Sequence, residues 1–140
     1  MSEITKDFTD GEFAASTVIN QLSTVCYARA KEKGFWSDQD RLLDLLTKLG
    51  ETGLVNVVNI AFTSQKNDLM HSELGEATEA QRKDLSSDKI PGFTGEEEEY
   101  ADLIIRCFDL AGRKKMRLGE AIILKMRYNE GREYMHGKKF

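Results

Sequence analysis

The segment EEEEYADLIIRCFDLAGR, residues 96–113, constrains the fold more than any other stretch. Wound as an α-helix, it places Glu99, Asp102, Arg106, Asp109 and Arg113 on one stripe roughly 80° wide. Tyr100, Leu103, Ile104, Ile105, Cys107, Phe108 and Leu110 cover nearly all the rest. A surface helix shows the reverse balance, an apolar stripe on a polar cylinder. The pattern predicts a helix surrounded on most sides. Its charged seam then faces either a strip of solvent, laced by Asp–Arg pairs three or four residues apart, or a polar cavity whose carboxylates need cations.

Helical periodicity recurs along the chain, and no segment offers itself as a strand partner for another. Ala15, Val18, Ile19, Leu22, Val25, Cys26 and Ala30 repeat at helical spacing between Glu12 and Lys33, with Thr9 or Asp10 as cap and Gly34 as stop. A short helix is expected over Arg41–Leu49, closed by Gly50 and Gly53. LVNVVNIAF is rich in β-branched residues, which favour a strand; without a partner strand it is read as the start of a long helix reaching Lys83. SSDKIPGFTG, with the only proline, is a loop. Helices then follow over Glu97–Arg113 and Leu118–Asn129, ahead of a basic tail, GREYMHGKKF. The expectation is one all-α domain over residues 1–140, a bundle of about four main helices.

Composition narrows the function classes. A chain of 140 residues with 40% hydrophobic and 31% charged content suits a single soluble domain. The net charge of −4 argues against a nucleic-acid polymer as partner, because phosphate backbones reward clustered cations. The start, MSEITKDFTDGEF, is polar and acidic, unlike a signal peptide, and the uncharged run Gly53–Gln65 is too short to span a bilayer. A cytoplasmic location and no membrane partner are expected. Cys26 and Cys107 lie among apolar residues and read as buried thiols, with a disulfide left open.

Two helices carry paired carboxylates. In LMHSELGEATEAQRK, Glu73 and Glu76 are three apart, and Glu99 and Asp102 repeat that spacing beyond the loop. The loop would make the two helices antiparallel neighbours. Four inward carboxylates repel unless a hard divalent cation such as Mg²⁺ occupies the gap. A di-iron centre would need two Glu-x-x-His motifs; the single one, Glu133 with His136, lies in the tail. Lys125, Asn129 and Arg132 share a face of the last helix, a grouping suited to a polyphosphate or simply a solubilising end.

HSELGEATEAQRK, EEEEYADLIIRCFDLAG and KMRYNEGREYMHGKKF closely resemble the MazG-like members of the all-α nucleoside triphosphate pyrophosphohydrolases. The likeness runs from about Gln65 to Phe140 and takes in INQLSTVCYARAKEKGFW; residues 38–60 match less clearly and read as an insertion. The E-E-x-x-E motif is present with Ser72 in its first position, followed by E-x-x-D. The resemblance implies a Mg²⁺-dependent enzyme, Mn²⁺ able to substitute, that converts a nucleoside triphosphate to the monophosphate and pyrophosphate. Glu73, Glu76, Glu99 and Asp102 map onto its metal ligands. Lys125, Asn129 and Arg132 map onto its substrate-binding stretch. Glu76, Glu79 and Glu98 are candidates to take the proton of the attacking water. Trp36, in GFW, either stacks on a base or anchors the first helix; Asn20 either reads a base edge or bonds across helices. Those two residues motivate a purine such as dGTP. The family likeness also implies dimers or tetramers with sites at subunit contacts. A pyrimidine-specific dUTPase or dCTPase of the same superfamily, and a non-catalytic oligomeric helical module, stand as alternatives.

Overall fold

The computed structural model describes residues 3–133; His136 and the rest of the tail after Glu133 lie outside them. A short 3₁₀ turn, Glu3–Thr5, leads into five α-helices: α1 Asp10–Glu32, α2 Ser37–Lys48, α3 Thr52–Lys83, α4 Gly95–Arg113 and α5 Leu118–Glu130. Among the described residues there is no β-strand and no helix long and apolar enough to cross a membrane. The all-α reading holds. LVNVVNIAF is helical, because within one helix every backbone group finds its partner locally, whereas a lone strand leaves its own unpaired.

Helices α1 and α4 begin in the same way. Thr9 and Thr94 are the N-caps, and each accepts from the backbone N–H three residues on. Glu12 and Glu97 reach back to the cap's own N–H at 2.8 Å. The T-x-x-E signature of this capping box is legible in TDGE and TGEE. One of the four glutamates at the head of α4 is thereby accounted for. It ends a turn, and it is not a ligand.

Helix α4 lies between α1 and α3. Ala80 packs by Gly95, Met70 by Cys107 and Thr63 by Lys114, so α3 and α4 run antiparallel. Against α1 the approach is closer. A Cβ on Gly112 would stand 2.3 Å from the Ser23 carbonyl oxygen, and one on Gly119 would stand 2.1 Å from that of Ser16. Both serines are buried, and their hydroxyls donate back to the Phe13 and Ile19 carbonyls at 3.0 Å. Small side chains seven residues apart on α1 thus meet glycines seven apart on α4 and α5, and the backbones touch.

Helix α5 docks antiparallel on α1. Arg127 donates to Glu12, and Asn20 bridges both groups at the head of α5: its Nδ2 donates to Glu120 at 2.7 Å and its Oδ1 accepts from the Gly119 N–H at 2.9 Å. Asn20 is therefore an interhelical clamp. Of the two roles open to it, the bond across helices is the one observed, with one amide N–H and the side-chain oxygen engaged inside the fold. Asn20→Ala is expected to cost about 1–3 kcal/mol by orphaning both partners, read as a lower urea midpoint.

The charged seam of α4 faces inward. Arg106 reaches α3, Asp109 meets Trp36, and Arg113 contacts Tyr27 and Asp40. These contacts pack the seam against its neighbours, although the Arg106 side chain stays 41% exposed. The apolar flank is less covered than expected. Tyr100, Ile104 and Ile105 are each about half exposed, as are Val18, Leu22 and Val25 on α1 and Leu54, Val57 and Ile60 on α3. Cys26 and Cys107 are unpaired thiols, half-buried, each with its pKa raised by burial.

Candidate metal centre

Glu73 and Glu76 sit one turn apart on α3, and Glu99 sits one turn into α4. One carboxylate oxygen from each lies within 4.8 Å of the others. Glu73 is only 4% exposed, Glu99 is half-buried and Glu76 is exposed. The cluster therefore has a closed floor and an open mouth. Arg106 Nε donates to Glu73 Oε1 at 2.6 Å and fixes the floor. Ser72 Oγ donates to Glu76 Oε1 at 3.0 Å, so Ser72 steadies a member of the cluster and adds no carboxylate.

Burial pushes the Glu99 carboxyl above its usual range, and a hydrogen bond to Glu73 and the charge of Glu76 add to the effect. All three are hard oxygen donors, converging from two rigid helices, and that set fits Mg²⁺ or Mn²⁺ better than a soft metal.

The expected quartet is a triad. Asp102 lies three residues beyond Glu99, about 4.5 Å further along the helix axis, and falls outside the converging group. It is half-buried and acts by charge on Lys89. Glu79 is turned away from the cluster, paired with Lys83 at 2.6 Å on the exposed side of α3. It lies outside the converging group, which favours Glu76 over it as a base. Glu98 is 7% exposed, but Ser87 and Lys89 each donate to one of its oxygens. Lys89 first, then Ser87, hold its pKa below the usual carboxylate range. A carboxylate so engaged is a poor proton acceptor, which counts against Glu98 as the base. Glu76, exposed and in the cluster, is the remaining base candidate.

Trp36 takes the anchoring role. It is 1% exposed, its Nε1–H donates to buried Asp109 at 2.8 Å, and Tyr27 packs edge-on at 5.9 Å. The Lys66 ammonium lies 4.2 Å from the ring centroid. Asp109 is ten residues past Glu99 on α4, about 15 Å along the axis, so the indole is remote from the triad. Lys125, Asn129 and Arg132 also stand apart. They lie on or just after α5, which packs on α1, while the triad lies between α3 and α4. Lys125 and Arg132 rest over the Tyr128 ring.

Sequence reasoning missed two residues beside the cluster. Arg106 was visible in the seam, seven residues after Glu99, but its partner across the helices was not. Lys89 lies in a loop, where periodicity gives no signal.

The geometry defines a helical protein with a buried-to-open carboxylate triad on two antiparallel helices. No protein-family model, curated protein or solved structure matches the chain.

Proposed function

We propose that this chain is a divalent-metal-dependent nucleoside triphosphate pyrophosphohydrolase of the MazG-like kind, releasing pyrophosphate and a nucleoside monophosphate. The observation that carries the reading is the convergence of Glu73, Glu76 and Glu99 within 4.8 Å, from the same glutamates that resemble the family's motif. Glu73, Glu76 and Glu99 would hold Mg²⁺, and Asp102, three residues on from Glu99, would contribute through water. When bound, the ion supplies charge neutralisation for phosphoryl oxygens and acidifies water.

The side chains divide the remaining work by burial. Glu73, locked by Arg106, orients the site. Glu76 at the mouth, held only by Ser72, is free to take the proton from the attacking water. Glu99, whose pKa is already raised, relaxes toward the ionised form when a cation offsets its neighbours.

A homo-oligomer belongs to this reading. Half-exposed apolar residues recur on α1, α3 and α4. A second copy would cover them, and would bring a neighbour's Lys125, Asn129 and Arg132 toward substrate that their own chain's triad does not reach. The test is pyrophosphate release across a panel of ribo- and deoxynucleoside triphosphates with Mg²⁺ and with Mn²⁺. Metal-dependent release from at least one is the expected result. No release from any of them with either ion would end the proposal.

A further inference from the structure

The loop joining α3 to α4 is a built structure. Gly95 N–H donates to the Leu85 carbonyl at 2.8 Å and Ser87 N–H to the Phe93 carbonyl at 3.0 Å. Ser87 Oγ accepts from the Ile90 N–H at 2.9 Å while donating to Glu98. Glu98 is buried at the head of α4, yet it belongs to neither the cap nor the triad. Its second oxygen holds the Lys89 ammonium.

A buried carboxylate gripping a lysine is a device for aiming it. The Lys89 side chain is 65% exposed although its ammonium is held. Lysine has three N–H donors, and Glu98 engages one end of this side chain, leaving donors for a ligand. Glu98 is adjacent in sequence to Glu99. After Glu98 itself, Glu99 and Asp102 act on Lys89 by charge, and together they hold its pKa up. Bonded to Glu98, the ammonium is held beside the head of α4, one residue in the chain from Glu99 of the acidic cluster. A polyphosphate approaching three carboxylates meets repulsion that an ion in the centre offsets only in part. A fixed point charge at the rim is the complement such a ligand requires.

We propose that Lys89 is a polyphosphate-binding residue of this site and that Glu98 is the positioning residue that aims it. The proposal rests on the hydrolase reading and replaces the basic face of α5 as the in-chain source of positive charge.

The experiment measures KM and kcat for the best triphosphate in wild type, Lys89→Met, Lys89→Arg, Glu98→Gln and the Lys89→Met/Glu98→Gln double variant. Affinity for inorganic triphosphate with Mg²⁺ is measured by calorimetry alongside. Lys89→Met should raise KM and weaken triphosphate binding about tenfold or more, with kcat held within about twofold. Lys89→Arg, which keeps the charge, should recover most of the loss. Glu98→Gln should raise KM to a similar degree, and the double variant should be little worse than either single one, because the two act as one unit. Unchanged KM and triphosphate affinity in Lys89→Met overturn the inference while an active wild type leaves the hydrolase reading standing. So does a Lys89→Arg enzyme as weak as Lys89→Met, since charge would not be the agent. A collapse of kcat in Glu98→Gln at unchanged KM makes Glu98 a proton acceptor and overturns its positioning role. A wild type that turns over no triphosphate removes the hydrolase reading and this inference together.

Discussion

Glu99→Gln is expected to make the metal-free protein more heat-stable near neutral pH, while cutting hydrolysis by more than about a hundredfold, beyond what losing an outer partner of a metal site costs. The two effects share one cause. The folded-state pKa of Glu99 is raised from 4.5 by burial, with Glu73 and Glu76 adding to it. A raised carboxyl contributes stability that is intact below about pH 4.5 and is lost as pH rises through the folded value, because the folded chain then binds the proton more tightly than the unfolded one. At neutral pH, wild type therefore bears the strain of three crowded carboxylates, and glutamine relieves it. Added Mg²⁺ should raise the melting temperature of wild type by mass action and should do far less for the variant. Melting curves at several pH values, with and without Mg²⁺, read all of this. A variant that melts lower than wild type at neutral pH, yet gains as much from Mg²⁺, would show that the triad is not a metal centre.

Gly119→Ala is expected to give the largest loss of stability. The new Cβ would stand 2.1 Å from the Ser16 carbonyl oxygen and 2.7 Å from its Cα. These are backbone atoms in the middle of α1, so relief requires α5 to move away, breaking both Asn20 bonds. A cost of about 3 kcal/mol follows from overpacking of this kind, roughly a 10 °C fall in melting temperature for a chain this size. Gly112→Ala, at 2.3 Å from the Ser23 carbonyl oxygen, should behave alike. Gly75→Ala is the contrast. Nothing lies within 4 Å of its Cβ, and alanine in a helix interior should gain about 0.5–1 kcal/mol. Urea denaturation of the three variants tests the series. A Gly119→Ala protein as stable as wild type would mean that α1 and α5 do not touch at Ser16.

The four glutamates at the head of α4 illustrate what was legible and what was not. Glu97 is a capping residue, and TGEE states it in the sequence. Glu99 was readable as a member of an acidic cluster from its place on the charged stripe. Glu98 was not readable, because its partners Ser87 and Lys89 come from an irregular loop. Asp102 and Glu79 had suitable spacing but the wrong depth or face. Asn20 and Trp36 each offered two roles to sequence reasoning, and the structure shows an internal bond for both: across helices for half-buried Asn20, and to Asp109 for buried Trp36, whose indole N–H must find a partner where it lies.

The sequence alone determined the presence of the helices, the capping boxes at Thr9 and Thr94 and the antiparallel order of α3 and α4, because hydrogen bonding within a helix and the period of its apolar faces are local properties, whereas α2 starts at Ser37, ahead of the expected Arg41, with no side-chain cap. Only the tertiary structure decided which carboxylates meet, which cation faces each, and which polar groups are spent inside. Those depend on how the helices cross, and the crossing is set where Ser16 and Ser23 let Gly119 and Gly112 come into backbone contact.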